Sequence, residues 1–146
     1  MISRQSVAST LKALLETVDV DVPVGLVTAP RPVDGQMPTR YLVVELPEAP
    51  ITDGGDLEDP ERHLTLRFRV RTVVSTDDVE VSTNAALHLA DAAAVKVLDR
   101  TATTAGDGWI VRGRSLVSSS GVMAEGPLVN NVDEFEWWVV PGPAAD

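Results

Sequence analysis

Few residues in this chain could do chemistry. They are two histidines, a run of serines, an acidic loop containing glycine, and rows of arginine. A serine nucleophile needs an adjacent base, and only His63 and His88 could supply an imidazole. The serines of Ser115–Ser120 are not framed by the Gly-x-Ser-x-Gly elbow that exposes a nucleophile at a strand-to-helix turn. His88 falls between Leu87 and Leu89 with Asp91 three residues on, which reads as a helix-surface histidine beside an acid. His63 opens a strand and reads as structural. The cluster Asp53, Gly54, Gly55, Asp56, Leu57, Glu58, Asp59 superficially resembles a calcium loop. It lacks the alternating ligand spacing and the terminal bidentate glutamate, so it reads as a solvated acidic loop. Gly106 and Gly108 precede a strand and not a helix, so they form no phosphate cradle. These residues predict no catalytic group, no metal site and no cofactor.

Composition narrows the classes further. A chain of 146 residues with 44% hydrophobic content is long enough for one domain with a real core, here residues 1–146. Aromatic residues make up only 4%, so Val, Leu and Ala must fill most of that core. The formal net charge of −10 repels phosphates and argues against general affinity for nucleic acid or anionic membranes. Cysteine is absent, which removes disulfides and thiolate ligands. The apolar runs are far shorter than a membrane span, and the first residues read as having no export signal. The chain is expected to be soluble and intracellular when made.

The elements that would position these residues are legible from periodicity. Val7, Leu11, Leu14 and Leu15 predict a first helix over Ser6–Thr17, capped by Ser3 or Ser6. A short strand at Val24–Val27 and a proline-rich loop lead to the apolar strand Tyr41–Leu46, expected to be buried on both faces. Residues 47–62 read as a long acidic loop projecting from one end of the sheet. From Leu64 to Val70 apolar residues alternate with Thr65, Arg67 and Arg69, the signature of a half-buried strand. Ser75–Asp78 opens a long helix whose core face is read as Val79, Ala86, Leu89, Ala90, Ala93 and Val97. Strands at Trp109–Val117 and Val132–Val140 follow, the first continuing through a bend near Ser118–Gly121. Residues 141–146 read as a frayed tail. The expected fold class is α+β: a four-stranded, mostly antiparallel sheet with a short N-terminal helix and one long helix on one face.

That framework gives the charges a structural use. Arg67, Arg69 and Arg71 share one strand face, and Arg112 and Arg114 are read as lining another. No aromatic residues interleave with them, as stacking on nucleic acid would need. Glu134 and Glu136 recur at period two on the last strand, and cross-strand pairs with the arginines would be worth about 0.2–1 kcal/mol each. The alternative is that the arginines meet acids of a neighbouring subunit, with Asp53, Asp56, Glu58 and Asp59 as candidates. Phe135 and Trp137 share one face of the last strand, while Trp138 points the other way, where a neighbouring subunit could cover it.

The layout resembles the tail terminator, or tail completion, proteins of long-tailed bacteriophages. The likeness rests on the N-terminal helix, the loop Pro30–Pro38 running into Tyr41–Glu45, and the strand Leu64–Val70. It also rests on the helix carrying Ala85–Asp91 and ending at Val97, Leu98, Asp99, and on the closing strand pair. It covers most of residues 3 to 140. The resemblance implies a structural virion protein without enzymatic activity, made in the host bacterial cytoplasm and placed in the tail or neck. It implies a homo-hexameric ring at the head-proximal end of the tail tube, ending polymerisation of the tube protein and meeting the head-to-tail connector. DNA would pass through the bore without specific binding. Two other readings stay open on the residues alone. One is another neck or tail subunit, such as a connector or tube protein, and the other a small ligand- or calcium-binding domain.

Overall fold

A computed structural model describes residues 2–46, 64–106 and 108–142. The chain order is α1 (Arg4–Glu16), β1 (Val24–Leu26), β2 (Arg40–Glu45), β3 (Leu64–Ser75), α2 (Val79–Leu98), β4 (Ala105–Gly106), β5 (Trp109–Ser119), β6 (Met123–Glu125) and β7 (Leu128–Pro141). The fold is α+β, but the sheet has seven strands and not four. The four expected strands, β2, β3, β5 and β7, form its centre. The additions are short: β1 pairs parallel with β2, β4 lies on the outer edge of β5, and β6 pairs with β7. β1 matches the short strand expected at Val24–Val27 and β6 the expected continuation of β5, whereas β4 has too few residues to show a period-two pattern.

The last strand begins at Leu128, four residues before the expected start, because the turn is tight. Glu125 lies opposite Leu128, so Gly126 and Pro127 alone connect β6 to β7, with Gly126 at φ +62°. β5 and β6 pair with β7 in succession, and the break between them contains Gly121 at φ +72°. They are two segments of one bent strand, as the run Ser118–Gly121 suggests.

Capping sets the helix bounds. Ser3 accepts a hydrogen bond from the Ser6 N–H and caps α1; Asp78 accepts from the Glu80 and Val81 N–H groups and caps α2. Both helices pack on one face of the sheet. Val7, Leu11 and Leu15 of α1 and Leu89, Ala93 and Val97 of α2 join Leu64, Leu66, Phe68, Phe135 and Trp137 in one core. Val79, expected on the core face of α2, is exposed. It lies in the first turn, before the helix reaches the sheet-covered part of its length marked by Ser82 and Ala86.

Two indoles tie the layers together. Trp137 donates from Nε1 to the Val97 carbonyl at 3.1 Å, and its ring meets Phe68 edge-on at 5.3 Å between centroids. Trp109 donates from Nε1 to Ser6 Oγ at 3.0 Å, joining the start of β5 to the first turn of α1. The Trp109 ring lies so close to the Gly106 backbone that a Cβ there would stand 2.3 Å from two ring carbons. A buried indole held by a hydrogen bond has little room to yield. Gly106→Ala is therefore expected to cost about 1–3 kcal/mol, read as a lower midpoint in urea. Near-UV circular dichroism should show a displaced tryptophan signal.

Candidate interaction surface

The second face of the sheet is exposed only in part, since Val43, Val73 and Asn130 at one end of it are buried, and the strand parity decides what the exposed part carries. Arg67 lies opposite Glu136, and Arg69 lies opposite both Glu134 on β7 and Glu45 on β2. Two of the ion pairs follow this register, and the third is diagonal, since Arg71 lies opposite Val43 and Val132. Arg67 Nε donates to Glu136 Oε2 at 2.9 Å and Arg71 Nε to Glu45 Oε1 at 2.7 Å, while Arg69 Nε stands 3.8 Å from Glu134 Oε2. Five expected interface residues, Arg67, Arg69, Arg71, Glu134 and Glu136, are thus brought together, and they pair within one chain. Glu45 completes the set. Its signal was its place at the end of β2, two strands from the glutamates and directly across from an arginine.

Trp138 stands on the same face, 46% exposed, with Phe135 and Trp137 on the opposite, buried side. Asp53, Asp56, Glu58 and Asp59 lie outside the described residues, as does His63. His88 is exposed on α2. Ser119 Oγ contacts Asn131 Oδ1 at 3.4 Å, and Ser120 Oγ donates to the neighbouring Gly121 carbonyl. Among the described residues, no group of three or more His, Asp or Glu is placed to hold a metal ion.

The expectation that Arg112 and Arg114 share a face is overturned. A β-bulge between Val111 and Gly113 inserts one residue into β5 and reverses the alternation beyond it. Arg112 remains exposed, whereas Arg114 falls opposite Trp137 on the helix side and is buried. Its guanidinium sits 5.6 Å from the Trp137 ring centroid. Arg114 Nη2 donates to Thr104 Oγ1 at 2.9 Å and to the Ala102 carbonyl at 3.1 Å, and Nη1 reaches the Val97 carbonyl at 3.4 Å. A cation thereby sits at the C-terminal end of α2, where the helix dipole favours positive charge. Desolvation pushes the Arg114 pKa below its ordinary value, and the Asp99 charge opposes that. The Asp99 carboxyl is itself held below its usual range, first by the Thr101 hydroxyl at 2.6 Å and then by the Thr101 N–H.

Beside this anchor, a cleft of 530 Å³ opens at the outer edge of the sheet. It is lined by Arg100 and Ala102 from the segment after α2 and by Arg112 and Gly113 of β5. Arg114 and Trp138 line it as well. Gly113 lies opposite Trp138, and a Cβ there would stand 3.3 Å from the Trp138 Cβ. Arg100 and Arg112 are exposed and form no ion pair among the described residues.

No family model matches the chain, and no curated protein matches it. Among solved structures, a chain designated only by a sequence label is similar, with a TM-score of 0.61 at 17% identity. The match covers 96% of this chain and 94% of that one. At that identity the likeness concerns the fold alone.

The two kinds of arginine should respond differently to mutation. Arg114→Met strips donors from buried acceptors and is expected to cost about 2–3 kcal/mol in urea unfolding. Arg114→Lys should recover only part of this, since one ammonium cannot span three acceptors as the planar guanidinium does. For the exposed ladder, a double-mutant cycle of Arg67→Ala with Glu136→Ala should give a coupling below about 1 kcal/mol. That coupling should shrink as salt is added.

Proposed function

We propose that this chain is a structural ring subunit of the tail terminator kind. In this role it ends polymerisation of a phage tail tube and presents a surface to the head-to-tail connector. The observation that carries the reading is the one-sided sheet. Two helices cover one face, while the other displays a self-neutralised arginine–glutamate ladder with a half-exposed tryptophan at its end. A ladder whose charges are already matched can be covered by another subunit without leaving an unpaired charge buried. Trp138 offers the aromatic anchor that interfaces favour.

A closed ring also needs each subunit to carry two unlike, complementary patches. The cleft at the β5 edge of the sheet, lined by Arg100 and Arg112, offers one such patch. The formal net charge of −10 suits a subunit bordering a DNA passage, since an acidic wall gives phosphates no cationic contacts. No helix among the described residues is long and apolar enough to cross a membrane. In this reading the chain is made in the host cytoplasm and resides in the virion tail or neck, as a homo-hexamer contacting tube protein and connector.

Electron microscopy of the purified protein, alone and mixed with tail tubes, tests the reading. The expected result is closed six-fold rings that sit on tube ends and halt their growth. Open tubes would point to a tube protein and twelve-fold rings to a connector, and a protein that stays monomeric at all concentrations would overturn the proposal.

A further inference from the structure

The arginines at the edge of β5 are in a different state from those on the ladder. Arg67, Arg69 and Arg71 have their carboxylates within the sheet. Arg100 and Arg112 both line an open cleft, exposed, with no ion pair among the described residues. Arg114 forms the inner end of the cleft, but its donors are used by Val97, Ala102 and Thr104. The cleft is therefore a cationic notch in a protein with 22 acidic and 12 basic residues. It is backed by a rigid wall, because Arg114 locks the segment after α2 to β5. The bulge at Arg112 creates this arrangement: it turns one arginine inward as an anchor and leaves the other outside.

We propose that this cleft docks an acidic segment of a second copy of the chain, and that the segment is the stretch containing Asp53, Asp56, Glu58 and Asp59. Charge complementarity selects the occupant. That stretch is the densest run of acids in the sequence, and the cleft is lined by two guanidiniums that form no ion pair among the described residues. The inference rests on the ring reading, which requires a heterologous contact between copies, and it names the two patches that meet there. The ladder arginines, whose charges are met within their own sheet, drop out as the cationic side of that contact.

Charge reversal tests it. Arg100 and Arg112 are exposed, so R100E/R112E should melt like the wild type while its rings dissociate at about tenfold higher concentration, measured by light scattering after size exclusion. The variant D56K/E58K/D59K should do the same. Mixing the two should restore closed rings, because each variant's cleft then meets a segment of opposite sign. A chain carrying both sets of changes should also assemble alone. If the wild type forms rings and R100E/R112E forms them equally well at every salt concentration, the cleft assignment is wrong and the ring reading stands. If the wild type never assembles, both fall. If the single variants lose thermal stability instead of association, and the combined variant regains it, the two patches pair within one chain and the proposal is overturned.

Discussion

The pairing of β3 with β7 is the constraint from which the rest of this structure follows. These are the two longest strands, and they align over their whole shared length from Leu64 opposite Val139 to Ser75 opposite Leu128. Their register sets Phe68 against Phe135, with ring centroids 5.7 Å apart, and Trp137 edge-on to Phe68. The same register sets Arg67 against Glu136 on the reverse side. A slip by one residue would exchange the faces, burying charge and exposing the aromatic cluster. Packing and electrostatics thus specify one alignment together, and the burial of the aromatic side is by far the larger contribution. The exposed ion pairs add discrimination more than stability.

Much of this pattern was legible in the sequence, and the reasons differ by element. β3 and β7 are long and strictly alternating, so their faces, and the opposite outlooks of Trp137 and Trp138, follow from parity. The helices announced themselves through apolar spacing and through Ser3 and Asp78 as caps. What was not legible was set by contacts distant in sequence. β4 is a strand only because β5 offers it a free edge, whereas β1 matches the short strand read at Val24–Val27. The inward turn of Arg114 depends on a one-residue bulge that leaves no periodic mark, because Val111 and Gly113 fit either parity.

The candidate surface was legible to a similar degree. The arginine and glutamate rows could be matched from period two alone. Glu45 was missed because its strand reads as uniformly apolar and the glutamate stands at its end. The cleft was missed because it depends on where the segment after α2 lies, and Arg114 decides that. Sequence reasoning matched the ladder arginines to Glu134 and Glu136, or to acids of a neighbouring subunit, and the pairing within the sheet is what the register shows. The arginines that form no ion pair among the described residues, Arg100 and Arg112, lie at the sheet edge.

The hairpin that joins β6 to β7 through Gly126 and Pro127 has a kinetic consequence. β7 meets its β5–β6 partner through a local turn, but it meets β3 only after the chain has passed through all of α2. Loop closure favours the local pairing first, so the hairpin should form early with its other edge open. Until β3 arrives, that edge displays Phe135 and Trp137 beside unpaired backbone groups, the kind of strand that recruits other chains. Wherever the chain is synthesised at high concentration, the order of strand arrival would decide how much of it is lost to aggregation.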